Sequence, residues 1–332
     1  MQKELFMKRA IYLASLAPHS STLSNPRVGA LLVHDGQIIG EGYHHRQGEA
    51  HAEVHCIQSM KPQHRQLIPQ STMYVTLEPC AHQGRTPSCA RMLAQLKPRK
   101  VIVGTLDPFP KVAGKGCQIM REAGIEVEVG LLEDECRELA HVFLTNQIKK
   151  RPYIILKWAE SADGFIDYVR ADASQAPAKL STPFTQLLTH RLRGDCTGIL
   201  IGSRTALLDN PSLTNRLWKG LPSPTPIILA GKTTPIPEKY INDPRWMIIQ
   251  REKDLPSILS DLLDKGITSL LVEGGATILQ SFINAGLWDT IRREISPLRL
   301  HTGFPAPKMP TSAHLYRTEI FQSNVLLYYS QE

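Results

Sequence analysis

His51-Ala52-Glu53-Val54, Pro79-Cys80 and Cys89 are the residue types from which a catalytic metal centre is made. One imidazole and two thiolates are three ligands for a tetrahedral zinc, and catalytic sites leave the fourth position to water. Zinc acidifies that water toward neutrality. Glu53 stands two residues after the histidine, where it can pass the proton to a departing group without occupying the metal. A structural zinc site would need a fourth protein ligand, for which His82 is at hand. Cys80 and Cys89 are separated by eight residues rather than two. His55, Cys56, Cys117, Cys136 and Cys196 read as ordinary core or surface residues.

The elements around these residues decide whether they can meet. Residues 4 to 17 have a helical apolar rhythm that Pro18 helps to end. A strand is predicted over Ala30 to Val33, then an Asp35-Gly36 hairpin turn into Gln37 to Gly40. His51 to Met60 reads as a helix with the histidine at its start. Ser71 to Leu77 reads as a strand ending just before Glu78-Pro79-Cys80. Thr86-Pro87 is a cap and first-turn proline, placing Cys89 in the first turn of the next helix. A thiol there feels the helix dipole and the metal, which both favour the thiolate. Strands at 101–104 and 125–129 and a helix from Glu133 to Phe143 complete an alternating α/β layered domain.

Asn146 to Pro152 is polar and basic, and it marks a domain boundary near 147–151. The second half predicts strands at Tyr153 to Trp158, Gly198 to Gly202, Pro226 to Ala230, Trp246 to Ile249 and Ser269 to Val272. Helices are predicted over Thr182 to Arg193 and Ala276 to Ala285, with Ser203 to Asn215 as a site loop. Val272-Glu273-Gly274-Gly275-Ala276-Thr277 runs from strand through two glycines into a helix, so its backbone N–H groups could meet an anion. A plain strand-to-helix turn is the competing reading. No Gly-x-Gly-x-x-Gly follows a strand, which argues against a Rossmann domain.

The chain has 332 residues, enough for two domains, with 42% hydrophobic and 21% charged residues. No apolar run approaches the roughly 18 residues of a membrane span. The N-terminus lacks a signal-peptide pattern and the six cysteines are scattered, so a reducing cytoplasm is expected. Net charge is +7, but aromatics are 6% and no basic run is interleaved with them. That balance suits small phosphorylated substrates better than nucleic acid.

The layout resembles the zinc nucleobase deaminases, where histidine and cysteines hold zinc and a non-ligand glutamate is the acid/base. More closely, and over nearly the whole chain, it resembles the bifunctional riboflavin-biosynthesis deaminase/reductase family. The first half carries this in Asn25-Pro26-Arg27-Val28-Gly29, Gly42-Tyr43-His44, His51-Ala52-Glu53-Val54, Thr76-Leu77-Glu78-Pro79-Cys80, Gly84-Arg85-Thr86-Pro87, Cys89, Asp107-Pro108 and Val112-Ala113-Gly114-Lys115-Gly116. The wide cysteine spacing is that family's own and departs from tRNA adenosine deaminases and cytidine deaminases. The second half carries it in Lys157, Ala159, Ser161, Asp163-Gly164, Arg193, Gly202, Thr205, Asp209-Asn210-Pro211, Leu213, Arg216 and Glu273-Gly274-Gly275.

The resemblance implies a cytidine-deaminase-like three-layer α/β domain, residues 1–147, followed by a dihydrofolate-reductase-like α/β domain, residues 151–332. It implies zinc on His51, Cys80 and Cys89 with Glu53 catalytic, and NADPH in the second half. Ala159, Thr205, Asp209 and the segment Gly275, Ala276, Thr277, Ile278, Leu279, Gln280 and Ser281 would lie beside the cofactor. Asn25, His44 and Asp107 would bind the pyrimidine in the first half. Arg193, Leu213, Arg216 and Glu273 would face the ribose-phosphate substrate in the second, since arginine forks pair with phosphate. Three departures stand out: Pro177-Ala178-Lys179-Leu180-Ser181 replaces a Ser-x-Trp-Ile-Thr/Ser run, Ala230 replaces a common aspartate, and Asp289-Thr290 replaces Asp-Glu. Lys179 then offers a cation where relatives offer an indole; two readings stand, a lysine solvated on a loop and an ammonium on a cofactor phosphate, the second slightly favoured.

The expected activities are hydrolytic deamination of a diaminopyrimidine ribosyl phosphate, then NADPH reduction of its ribosyl chain to ribityl. The rivals are a deaminase of nucleosides or nucleic-acid bases with an accessory binding domain, and a zinc protein without turnover. A stacking groove would favour the first; loss of ammonia release on mutating Glu53 would exclude the second. No nucleic-acid or membrane partner is expected, and a homo-oligomer is left open.

Overall fold

Successive side chains of a strand point to opposite faces, and in the first half both faces are apolar. Ala30 and Leu32, Met73 and Val75, and Val101 and Val103 pack into one buried cluster; Leu31, Val33, Tyr74 and Ile102 pack into another. A sheet buried on both sides needs a helical layer on each. The computed structural model describes residues 2–81, 88–108, 113–231, 234–250 and 252–331, and the chain divides into two compact units, Met1–Lys150 and Arg151–Glu332.

The first unit runs α1 (Gln2–Ser15), α2 (His19–Thr22), β1 (Gly29–His34), β2 (Gln37–Tyr43), α3 (Ala52–Gln58), β3 (Thr72–Leu77), α4 (Cys89–Leu96), β4 (Lys100–Thr105), α5 (Lys115–Glu122), β5 (Glu126–Val129), α6 (Glu133–Leu139) and α7 (His141–Lys149). A 3-10 helix, Pro62–Gln70, links α3 to β3. The sheet order is β2-β1-β3-β4-β5. β1 is antiparallel to β2 and β3, whereas β3, β4 and β5 are parallel. Ala52 and Cys56 of α3, Ala90 and Leu93 of α4 and Cys117 and Met120 of α5 cover one face. Met7, Ala10 and Leu13 of α1 with Cys136 of α6 cover the other. This is the expected three-layer domain.

One local expectation changes. The helix predicted from Glu133 to Phe143 is two helices broken at Ala140. In the stretch 146–152, α7 continues to Lys149, Asn146 is buried, and Arg151 is buried in a two-pronged pair with Asp289. The Asp289 carboxylate also accepts the Ile154 N–H at 2.8 Å.

The second unit runs β6 (Tyr153–Glu160), β7 (Phe165–Asp167), α8 (Pro183–Asp195), β8 (Gly198–Gly202), α9 (Ser203–Asp209), β9 (Thr225–Ala230), α10 (Glu238–Ile241), β10 (Met247–Gln250), α11 (Leu255–Asp264), β11 (Ser269–Val272), α12 (Ala276–Asn284), β12 (Thr290–Ile295), β13 (Phe304–Pro305), β14 (Ala313–Phe321) and β15 (Asn324–Gln331). Eight strands form one sheet in the order β10-β9-β8-β11-β6-β12-β15-β14, and β13 and β7 form a ribbon. All pairs from β10 to β12 are parallel, and the β12/β15 and β15/β14 pairs are antiparallel. Ser203 to Asn215 is therefore not wholly a loop, because its first seven residues form α9. No helix among the described residues is long and apolar enough to cross a membrane.

Candidate functional site

In the first unit the three ligand candidates come from three element ends. His51 is the extended residue immediately before α3, Cys80 lies just past β3, and Cys89 opens α4. His51 Nδ1 is 3.6 Å from Cys80 Sγ and 3.4 Å from Cys89 Sγ. Zinc bonds of standard length to nitrogen and sulfur at a tetrahedral angle require an N···S edge of about 3.6 Å. The donor set therefore fits zinc, and the three ligand atoms lie within 4.8 Å of one another.

Local backbone explains the convergence. Ser88, not Thr86, caps α4, its hydroxyl accepting the Arg91 N–H at 3.2 Å. The Cys89 N–H donates to Cys80 Sγ at 3.3 Å, so the first amide of the helix faces the neighbouring sulfur. His82 and Thr86-Pro87 lie outside the described residues. The hydrogen bond from Cys89, then His51 and the Cys89 amide, hold the Cys80 thiol below its ordinary value, against the opposing effect of burial. The hydrogen bond to Cys80 and burial shift the Cys89 thiol upward. The hydrogen bond to Cys80 raises His51.

Glu53 is 3% exposed, and burial raises its carboxyl above the ordinary range despite His51 and a hydrogen bond with Cys89. A carboxyl held there is suited to exchanging protons. Asn25 and His44 are also brought in. His44 Nδ1 lies 3.0 Å from the Ala50 carbonyl, so it is the protonated nitrogen, and Nε2 accepts from Asn25 Nδ2 at 3.0 Å. Burial lowers His44 and keeps it neutral, with its ring edge-on to His51 at 5.6 Å.

Glu78 was only part of a motif in the sequence, and the fold gives it a task. Its buried carboxylate accepts four backbone N–H groups: Asp107 at 3.2 Å and Gly114 at 2.9 Å on Oε2, and Gly116 at 2.8 Å and Cys117 at 3.2 Å on Oε1. It thus fixes Asp107, a substrate candidate, to the residue next but one before Cys80. A Cβ on Gly116 would stand 2.0 Å from the Pro79 carbonyl oxygen, so only glycine fits. No periodicity announces such a carboxylate, because its partners are backbone groups of a distant loop.

In the second unit, parallel strands β6, β8 and β11 end on one side, where open α/β sheets bind ligands. A cleft of about 560 Å3 lies there, the size of a cofactor pocket. Its walls include Ala159, Lys179, Thr205, Asp209, Gly275, Ala276, Thr277, Ile278 and Leu279 of the cofactor set, with Arg193, Arg216 and Glu273 of the substrate set. Gly274 packs so close to Gly202 that a Cβ would be 3.0 Å from its nitrogen, and the Gly275 N–H donates to Thr205 Oγ1 at 3.1 Å. These contacts lock the start of α12 beside the end of β8.

Three expected residues are placed elsewhere. Leu213 is 3% exposed and packs in the core cluster with Cys196, Ile199 and Tyr240. Gln280 and Ser281 follow the first turn of α12 and are not among the residues that line the cleft. Gln280 bonds Asn284 and the Lys308 N–H, and Ser281 bonds the Ile278 carbonyl.

The charges of the cleft are largely spoken for. Arg193 grips Glu273 with two bonds of 2.9 and 2.7 Å. Burial pushes Glu273 upward, but Arg193, Lys157 and Arg292 outweigh it and hold the carboxyl below its ordinary value. Arg170 bonds both Asp167 and Asp209, so the Asp209 charge is answered within the protein. Lys157, half-buried on β6 at the cleft, is lowered by desolvation. Arg170 and His190 also line the cleft and were not singled out from sequence. His190 could have been noticed as the residue one helical turn before Arg193.

Comparison with known proteins follows the same division. Residues 1–105 match the cytidine and deoxycytidylate deaminase zinc-binding region, and residues 152–305 match the RibD C-terminal domain. The riboflavin biosynthesis protein RibD of Aquifex aeolicus is 36% identical over 88% of this chain and 86% of its own length. That of Bacillus amyloliquefaciens is 35% identical over 96% of this chain and 93% of its own. The crystal structure of a diaminohydroxyphosphoribosylaminopyrimidine deaminase/5-amino-6-(5-phosphoribosylamino)uracil reductase from Thermotoga maritima superposes with a TM-score of 0.88 at 32% identity, covering 100% of this chain and 99% of that one. Acinetobacter baumannii RibD gives 0.87 at 31%, with the same coverage. A zinc-fitting histidine–cysteine centre in a deaminase-type domain, joined in one chain to a reductase domain and alike over the full length, leaves one assignment: the chain belongs to the RibD family of riboflavin-biosynthesis deaminase/reductases.

Proposed function

We propose that residues 1–147 deaminate 2,5-diamino-6-(5-phosphoribosylamino)pyrimidin-4-one and that residues 151–332 reduce the ribosyl chain of the product to ribityl with NADPH. The observation that carries the first step is His51 Nδ1 at 3.6 and 3.4 Å from the two thiol sulfurs, with buried Glu53 beside them. Zinc on those ligands supplies the Lewis acidity that activates water at neutral pH. Glu53 takes the proton from the attacking water and delivers it to the departing amino nitrogen. Asn25, oriented by neutral His44, and Asp107, oriented by Glu78, hold the pyrimidine. In the second step NADPH supplies the hydride. The start of α12 and Thr205 hold the cofactor, Lys179 meets one of its phosphates, and Arg216 faces the ribosyl phosphate. We place the enzyme in the cytoplasm, acting on a small molecule with no nucleic-acid or membrane partner.

The test is ammonia release and NADPH oxidation followed together on the pyrimidine substrate. Glu53→Gln should retain zinc and lose ammonia release by at least ~100-fold, the scale of a positioned acid/base. Reduction of separately supplied deaminated pyrimidine should persist in that variant. Ammonia release at the native rate would remove Glu53 from the mechanism.

A further inference from the structure

His190 sits on α8 one turn before Arg193, is 4% exposed, and lines the cleft. Its Nδ1 accepts the backbone N–H of Arg216 at 3.1 Å. A ring nitrogen that accepts carries no proton, so Nε2 is the N–H of this imidazole. Nε2 has no partner among the described residues and is not among the fully enclosed unpaired atoms. In a ring this buried, what remains open faces the cleft.

The neighbouring charges say what the N–H would meet. Arg193 is engaged by Glu273, and its Nη1 reaches the Thr214 carbonyl at 3.4 Å. Arg216 touches only a neutral partner, the Ser212 hydroxyl at 3.0 Å, and meets no carboxylate among the described residues. Arg216 is exposed, and its charge is felt by the His190 ring. Burial, then Arg193 and Arg216, lower His190 to about 4, outweighing Glu273, so the ring is a neutral donor at working pH. A neutral N–H next to an unanswered guanidinium is a site for an oxyanion.

We infer that His190 is a substrate-binding residue, its Nε2–H donating to a phosphate oxygen of the ribosyl phosphate shared with Arg216. This rests on the reductase reading above. The rival is a purely structural role in which His190 matters only because Nδ1 holds the Arg216 amide.

Two substitutions separate the roles. His190→Asn keeps an acceptor near Nδ1 and lacks the far donor; His190→Gln reaches the Nε2 position with an N–H and lacks the near acceptor. Binding by Nε2 predicts that His190→Asn raises KM for the deaminated pyrimidine phosphate about tenfold or more. It predicts that His190→Gln recovers most of that loss, and that the Asn effect largely disappears on the dephosphorylated substrate. KM for NADPH should not follow, and that native value shows that the reductase unit has folded. The reverse order, Gln impaired and Asn near native, overturns the inference in favour of the structural role. An equal loss on both substrates overturns the phosphate assignment. Failure of the native protein to oxidise NADPH with this substrate would instead overturn the reductase reading.

Discussion

Glu78→Gln is nearly isosteric and removes one carboxylate oxygen from a site where each oxygen accepts two backbone N–H groups. Whichever oxygen becomes the amide nitrogen, two amides lose their acceptor and face a donor. Leaving a buried donor unsatisfied costs about 1–3 kcal/mol, so the pair costs about 2–6 kcal/mol. In a unit of this size, that lowers the melting temperature on the order of 10 °C. The displaced segment begins at Asp107, so KM for the diaminopyrimidine should rise while zinc stays, because the donors of His51, Cys80 and Cys89 do not involve the Glu78 carboxylate. The assays are thermal unfolding, ammonia release against substrate concentration, and metal content on one preparation. A variant with native melting temperature and native KM would show that the loop holds its place without Glu78. Loss of zinc would show that the carboxylate supports the metal centre rather than the loop.

Gly116→Ala puts a methyl group 2.0 Å from the Pro79 carbonyl, adjacent to Cys80, and should weaken zinc binding about tenfold or more in competition with a chelator. Lys179 lines the cleft, so Lys179→Ala should raise KM for NADPH about tenfold, a difference of ~1.4 kcal/mol, with an effect that shrinks at high salt. An unchanged KM at low ionic strength would return Lys179 to solvent. His190 binds its proton near 4 in the fold and at about 6.5 when unfolded. Unfolding therefore takes up a proton between those values, so the contribution is full above about 6.5 and is lost as pH falls toward 4. Urea midpoints of the reductase unit should fall over that window in the native protein and fall less in His190→Gln.

The metal centre was legible in sequence because its chemistry is written in residue types at element ends. His51 precedes a helical stretch, Cys80 follows an apolar strand, and Cys89 stands where a helix begins. The strands over Ala30 to Val33 and Ser71 to Leu77 were likewise legible in their apolar composition, while the fold shows that their side chains are buried on both faces. The last strands were not legible: the side chains of Ala313–Phe321 are largely exposed, so no buried stripe marks that strand, and its pairing with Asn324–Gln331 defines it. Nor was α9 legible, since a short helix packed through Ala206 lacks a full apolar period. The second-unit cleft shows the limit most clearly. Its arginines and carboxylates can be counted along the chain, yet which charges are free depends on partners far apart in sequence. Arg193 meets Glu273 80 positions away, and Arg170 meets Asp209 39 positions away. Sequence therefore determined which chemical groups this protein owns and which elements carry them. Only the tertiary structure decided which are spent on one another and which, like Arg216 and the Nε2–H of His190, are left to meet a ligand, because charge pairing depends on distance in space rather than along the chain.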